Sequence, residues 1–374
     1  MRIIPMQDDS RNDKPGAVLR GRGAVSNPDN RYAEQRRTAV DDGWWQDDTW
    51  DRTLRAPKTE VGIDHSHRLL SYNSSPDVPF DRSLNPYRGC EHGCIYCYAR
   101  PTHAWLGLSP GLDFERRLFH KPDAAEQLRR ELSVDGYRPE PLVLGANTDP
   151  YQPIERRLGV TRQILRVLFD CGHPVIITTK SALVLRDVDL LAEMAAKQLA
   201  AVQISITTLD DALARRLEPR AASPSRRLRA IAELAAADIP VGVLVSPVLP
   251  CLTDGDIERV VARAAAAGAS RASALLIRLP LEVKELFQQW LRTHYPERAD
   301  KVLSLIRQCR DGRLNDPRFG SRMSGSGPVA ELLEQRFRLA AGKHGLSRQA
   351  STWGLSNKHF QKPSIPGQQL SLFD

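Results

Sequence analysis

Between residues 82 and 310 the chain alternates short apolar or β-branched runs with helical patterns six times over, and few folds can absorb such an alternation. The runs fall at 84–88, 141–146, 174–178, 201–207, 241–246 and 274–278. Helical periodicity occupies 123–132, 161–169, 188–197, 225–236 and 256–267, and a last helical stretch covers 281–309. A parallel neighbour in a sheet is reached only by a crossover, usually a helix that covers the sheet face, so this order predicts an α/β domain built on a parallel sheet. Working residues in such domains gather just beyond the C-terminal ends of the strands.

The rest of the chain reads as tails. Residues 1–58 are polar with charge of both signs, relieved only by Trp44, Trp45 and Trp50, a composition that predicts a disordered tail. Residues 59–310 hold the barrel and its lead-in, 311–345 a C-terminal helical extension centred on 329–341, and 346–374 a flexible tail of proline, glycine and polar residues. No apolar run is long enough for a membrane span and the start lacks the regions of a signal peptide, which predicts a cytoplasmic protein. Six unevenly placed cysteines do not make a disulfide framework. The formal charge of +8, mostly arginine, suits a polyanion partner, although the arginines of 226–231 and 261–267 read as solvated helix faces.

Three cysteines stand in one short loop, Cys90-Glu-His-Gly-Cys94-Ile-Tyr-Cys97. Structural zinc takes four protein ligands, and here the fourth would be His92 or His103, giving a non-catalytic binding module. A four-iron cluster held by three thiolates instead keeps one iron open to a substrate or cofactor.

The run Asn85-Pro-Tyr-Arg-Gly-Cys90-Glu-His-Gly-Cys94-Ile-Tyr-Cys97-Tyr98-Ala-Arg100 resembles the signature of radical S-adenosylmethionine (SAM) enzymes, most closely the spore photoproduct lyase-like branch. The resemblance implies a partial (βα)6 radical SAM barrel, open on one side, over roughly 230 residues. It implies a [4Fe-4S] cluster on Cys90, Cys94 and Cys97, whose open iron chelates S-adenosylmethionine, and one-electron cleavage to a 5′-deoxyadenosyl radical fed by an unidentified electron donor. Further likeness lies in Thr148-Asp-Pro-Tyr-Gln-Pro-Ile-Glu155, Thr179-Lys-Ser181 and Glu218-Pro219. By that likeness Lys180 and Ser205, with Ser181 and Thr207 beside them, contact the cofactor. The backbone at Tyr96 meets its adenine, Val245 and Pro247 form an apolar wall, and Asn147, Asp149 and Gln152 face the substrate.

One departure bears on the reaction. Spore photoproduct lyases keep a cysteine after the second strand that returns a hydrogen atom to the product radical, and here Asn147 stands near that position. Cys251, after the fifth strand, is the candidate substitute, while Cys171 and Cys309 read as structural. The resemblance and the charge together point to nucleic acid, in DNA repair or modification; a protein or small-molecule substrate is the alternative. The chain ends in Gln369-Leu370-Ser-Leu372-Phe373, which resembles the peptide by which bacterial repair proteins dock on the sliding clamp.

Overall fold

The computed structural model describes residues 18–33, 58–348 and 353–363. Ten strands form: β1 Glu60–Ile63, β2 Leu70–Tyr72, β3 Arg82–Leu84, β4 Tyr87–Arg88, β5 Arg117–His120, β6 Leu142–Leu144, β7 Val175–Thr179, β8 Ala200–Ser205, β9 Val241–Val248 and β10 Arg271–Leu276. Seven join in the order β10-β9-β8-β7-β6-β3-β2, all parallel except β2, which runs antiparallel to β3 at the edge. The six-unit alternation thus becomes six parallel strands, the α/β partial barrel implied by the sequence. The residues that fill its strands, such as Leu142, Leu144, Val175, Ile177, Val202, Ile204, Val241 and Val243, are wholly buried, as parallel strands covered by helices must be.

The first run behaves differently from expectation. Only Arg82–Leu84 enters the barrel; Pro86, which has no N–H to give a ladder, breaks the strand, and Tyr87–Arg88 turns out into a second sheet of order β1-β5-β4. That turn delivers the chain to Cys90 at the barrel mouth. Crossover helices follow the apolar spacing: Pro224–Ala236 buries Leu228, Ile231 and Leu234, starts on a proline and is capped by Ser223. The stretch 281–309 is two helices, Val283–His294 and Pro296–Gln308, because Pro296 can begin a helix but not continue one. The first of them packs Phe287 and Trp290, stacked 5.8 Å apart, into the apolar cluster that also holds Cys94, Ile95 and Tyr96.

The expected tails are corrected in part. Within 1–58, residues 18–33 have a packed course, with Ala24 and Val25 buried and the Gly23 and Ala24 N–H groups donating to the Glu115 carboxylate at 2.9 and 2.8 Å. Within 346–374, residues 353–363 return to the base of the barrel: Phe360 meets Tyr137 and His173 at 5.6 Å, and the Gln361 N–H donates to the Cys171 carbonyl at 2.9 Å. Local polarity suggested disorder, but the partners of these segments lie far away in sequence. The helix of the extension spans Gly327–Lys343 and packs on Ile257–Ala266. Arg227, expected on a solvated face, is buried. The three N-terminal tryptophans and the run 369–373 lie outside the described residues. Among the described residues no helix is long and apolar enough to cross a membrane.

The docking of 353–363 gives a test. Gly172 and Gly312 both have φ in the left-handed region, +62° and +78°, but a Cβ at Gly172 would lie 2.2 Å from the His359 carbonyl oxygen, whereas at Gly312 it would meet nothing. Gly312→Ala should therefore cost only the conformational strain, about 1 kcal/mol, and Gly172→Ala clearly more. Thermal unfolding of the two variants should show the larger drop in Tm for Gly172→Ala; equal drops would mean that the segment does not dock there.

Candidate functional site

The cysteine loop is held by a buried arginine. Arg100, wholly buried, donates to the carbonyls of Gly93, Cys94, Pro110 and Gly111 at 2.9–3.2 Å and pairs with Glu115 at 2.5 Å. Backbone bonds finish the turn: Gly93 N–H to the Cys90 carbonyl, Cys97 N–H to that of Cys94, and Ile95 N–H to that of Leu217. Gly93 sits at φ +67°, with the Glu115 carboxylate 2.8 Å from where a Cβ would be, so a side chain would collide with the loop's own anchor.

The segment after β6 is the loop's second support. The Gln152 amide oxygen accepts from the Glu91 N–H at 2.8 Å, and its nitrogen donates to the Gly89 carbonyl at 3.2 Å. Asp149 accepts from Thr179 Oγ1 and the Lys180 N–H, both at 2.7 Å, and lies 3.3 Å from His92 Nδ1. Burial would raise its pKa, but His92 and these hydrogen bonds hold it below the usual carboxylate value. Asp149 and Gln152 were expected to face the substrate; the structure turns both inward to tie the cysteine loop to β7. Asn147 is the member of that set left exposed, its backbone N–H fixed by Asn85 Oδ1 at 2.9 Å.

Beneath the loop lies a polar hub built on Glu218. Its carboxylate accepts from Tyr96, from Thr207 Oγ1 at 2.5 Å and from Arg227, with Lys180 Nζ 3.9 Å away. Burial favours the neutral acid, yet Arg227 and Lys180 outweigh it and lower the pKa to about 2. Lys180 donates to Ser205 Oγ at 2.6 Å, and its ammonium lies 5.8 Å from the centre of the Tyr96 ring. The structure therefore brings Tyr96, Lys180, Ser205 and Thr207 together, as the likeness implied. It does not bring Ser181, whose hydroxyl caps the next turn at the Leu183 N–H, and Val245 is buried in the sheet core rather than lining a wall. Pro247 is buried beside it in β9, and its carbonyl accepts from Thr253 Oγ1 at 3.4 Å. Arg100, Glu115 and Arg227 were not singled out as site residues; Arg100 closes the quoted cysteine run, but nothing local in the sequence marks Glu115 as its partner.

The three loop thiols suit a cluster. They lie within electrostatic reach of one another; burial pushes each thiol up, while the Asp149 N–H pulls Cys90 down and those of Ala99 and Arg100 pull Cys97 down. Backbone N–H groups aimed at sulfur stabilise thiolate, the form a cluster needs. Neither histidine completes a zinc site. His92 is buried against Asp149, and His103 Nε2 bonds the Arg117 carbonyl at 2.9 Å. Among the described residues no three such side chains are grouped to hold a single ion. Of the other thiols, Cys171 donates to the Val167 carbonyl at the far end of the barrel and Cys309 is buried; Cys251 is half-buried against the apolar cluster under the loop.

Cys90→Ala, Cys94→Ala and Cys97→Ala should each abolish assembly of a four-iron cluster on anaerobic reconstitution, measured as iron and sulfide per chain, while Cys171→Ala and Cys309→Ala keep it. Equal loss in all five would remove the loop's special status.

Comparison with known proteins matches this geometry. The sequence profile of the Radical SAM superfamily covers residues 84–264, from β3 through the helix after β9. An uncharacterized protein of Mycobacterium tuberculosis is 37% identical over 265 residues, 69% of this chain and 77% of that protein. One of Methanocaldococcus jannaschii is 30% identical over 171 residues, 46% and 61% of the two chains. Among solved structures, a spore photoproduct lyase variant with bound AdoMet and dinucleoside spore photoproduct superposes with a TM-score of 0.53 at 17% identity, over 76% of this chain and 80% of that one. A second variant of that lyase gives a TM-score of 0.53 at 18% identity. With the three-cysteine loop at the mouth of a six-stranded parallel barrel, the chain belongs to the radical SAM superfamily and shares the fold of spore photoproduct lyase.

Proposed function

We propose that this radical SAM enzyme acts on nucleic acid, in repair or modification of DNA. Its cofactors are a [4Fe-4S] cluster and S-adenosylmethionine. Cys90, Cys94 and Cys97 would hold the first, and Lys180 and Ser205 would meet the second. When bound, they supply one-electron cleavage of the cofactor's sulfonium and, with it, hydrogen-atom abstraction from a substrate. The chain's own part is to bury the thiols, to hold the Lys180 ammonium toward the mouth through Ser205, and to keep Glu218 ionised but occupied by Arg227.

Charge beside the mouth carries the nucleic-acid reading. Arg156 and Arg157 stand exposed on the short helix Glu155–Leu158 after β6, with no ion-pair partner among the described residues. Burial, and after it the field of Arg157, lowers the pKa of His120 on β5, whose neighbour on β4 is Tyr87. β4 runs directly into the cysteine loop, so these cations border the site. Unpaired arginines beside an open mouth suit a phosphate backbone. The fold neighbour crystallised with a dinucleoside photoproduct points the same way. Asn147 in place of a thiol argues against the same dimer-repair route, because an amide does not donate a hydrogen atom as a thiol does.

Reconstituted protein should bind single-stranded DNA with an affinity that falls as salt rises, and 5′-deoxyadenosine release should increase when damaged or modified DNA is added under reducing, oxygen-free conditions. Arg156→Gln with Arg157→Gln should reduce the salt slope by about one to two. Release unaffected by nucleic acid, with binding indifferent to salt, would return the substrate to the protein or small-molecule class.

The clamp partner belongs to the same proposal. Gln369, Leu370, Leu372 and Phe373 lie beyond Pro363, the last described residue, and a stretch the length of 364–374 can reach no farther than about 40 Å. Leu370, Leu372 and Phe373 would fill an apolar pocket on the clamp while Gln369 bonds at its rim. A peptide of residues 362–374 should bind the clamp with micromolar affinity, on the order of −8 kcal/mol, and lose it with Leu372→Ala and Phe373→Ala together. No binding would remove the link to replication. A cytoplasmic setting, with a reductant to feed the cluster, completes the proposal.

A further inference from the structure

Two residues beyond the end of β10, Arg278 enters the mouth of the barrel with its charge unbalanced. The side chain is half-buried. Among the described residues its Nε, sealed from solvent, has no hydrogen-bond partner, and a terminal nitrogen reaches only the Met323 sulfur, at 3.6 Å. Among the described residues no carboxylate lies within ion-pair distance of it. The acid whose field reaches it, Asp77, is bound by Arg322, and Arg322 itself repels it. Other buried arginines have partners: Arg100 has Glu115, Arg227 has Glu218, and Arg310, whose Nε is also unbonded, gives its terminal nitrogens to the carbonyls of Leu276, Ile277, Ser321 and Arg322. A half-buried guanidinium without an acid is costly unless a ligand brings the anion.

Its position is fixed from the cysteine loop. The Arg278 guanidinium lies 5.9 Å from the centre of the Tyr98 ring, and Tyr98 follows Cys97 directly. The Tyr98 hydroxyl donates to the Ala146 carbonyl, next to the exposed Asn147. The ring thus links the ends of β10 and β6, the two barrel strands farthest apart in the parallel set but for β3, and it holds the cation facing the opening. Half of the Tyr98 side is exposed, which leaves room for a planar group beside the charge.

We propose that Arg278 binds a phosphate of the nucleic-acid substrate and so sets which nucleotide reaches the cofactor, an inference that rests on the nucleic-acid reading above. A guanidinium presents paired N–H groups that match phosphate oxygens, and an aromatic face beside it accepts a base. The phosphate supplies the charge that the protein withholds. Arg278 is then a binding residue separate from the Lys180 and Ser205 side of the mouth.

The test compares wild type, Arg278→Gln and Arg278→Lys as anaerobically reconstituted full chains, using a fluorescent single-stranded oligothymidine and, separately, S-adenosylmethionine. Arg278→Gln should weaken oligonucleotide binding about tenfold and lower the salt slope by about 0.7, one phosphate contact on a single strand, while Arg278→Lys keeps the slope. Iron content and S-adenosylmethionine affinity should stay as in wild type. As a check that needs no variant, phenylglyoxal modification of the Arg278 peptide in wild type, read by mass spectrometry, should slow when oligonucleotide is bound. Unchanged affinity and slope in Arg278→Gln with no protection in wild type would overturn the assignment and leave the nucleic-acid reading standing. Loss of S-adenosylmethionine affinity without loss of oligonucleotide would also overturn it, giving the anion site to the cofactor. A wild-type protein that binds no oligonucleotide would overturn the nucleic-acid reading and this inference with it.

Discussion

A single buried ion pair joins the parts of this molecule that must meet for the site to exist. Arg100 gathers the carbonyls of the cysteine loop and of Pro110–Gly111, and Glu115, on the other side of the pair, accepts the backbone N–H groups of Gly23 and Ala24. Three separate stretches of chain are therefore fixed by two side chains. In a low-dielectric setting the pair gains little over a well-packed apolar one, but removing one partner leaves the other charge buried, at a cost of about 3–5 kcal/mol. The arrangement is thus better suited to fixing a geometry than to adding stability. An iron cluster needs three thiolates at set separations, and a loop of eight residues without regular structure cannot set them by itself.

The second constraint is electrostatic. Glu218 is fully buried and stays ionised because Arg227 and Lys180 hold its pKa at about 2, far below its ordinary value. The contribution is complete above the unfolded carboxylate pKa of about 4.5 and is lost as pH falls toward 2. Arg227 takes the closer share of that carboxylate, so Lys180, at 3.9 Å, is drawn to it without being neutralised by it. A lysine held in this way, with Ser205 as its hydrogen-bond acceptor, still has positive potential to offer an incoming carboxylate.

How much of this could be read in the sequence depends on the range of the interactions. Six strand-helix units, the cysteine loop and the convergence of Tyr96, Lys180, Ser205 and Thr207 were legible, since apolar periodicity and motif spacing are local records of burial. The roles of Asp149 and Gln152 were not. A carboxylate and an amide after a strand read as substrate ligands, but Gln152 is spent on Glu91 and Gly89, some sixty residues away, and Asp149 on His92 and β7. The ordered courses of 18–33 and 353–363 escaped for the same reason: their few contacts, such as Phe360 with Tyr137 and His173, lie with residues remote in the chain. Pro86 marks a break, yet with Leu84 and Tyr87 on either side of it 84–88 reads as one strand when it belongs to two, in different sheets.

Where the chain keeps the family pattern and where it leaves it divide along the mouth. The side proposed for the cofactor, from the cysteines through Glu218 to Lys180, is tightly bonded and buried. The side proposed for the substrate is not: Asn147 is exposed, Tyr98 is half-exposed, and Arg278 has no acid within ion-pair distance among the described residues. Hydrogen abstraction leaves a substrate radical that must be quenched, and a thiol is the usual donor because its S–H bond is weak. Among the described residues the thiols outside the loop are Cys171, Cys251 and Cys309, and the first is at the wrong end of the barrel while the last is sealed in the core. Cys251 follows β9 on the mouth side, but it packs on the apolar cluster beneath the loop and its backbone stands at φ +65°. Among the thiols, hydrogen return from the protein would fall to Cys251, while the phenol of Tyr98, half-exposed at the mouth, is a hydrogen donor of another kind; a reaction that ends by elimination, or by return of hydrogen from 5′-deoxyadenosine, needs neither.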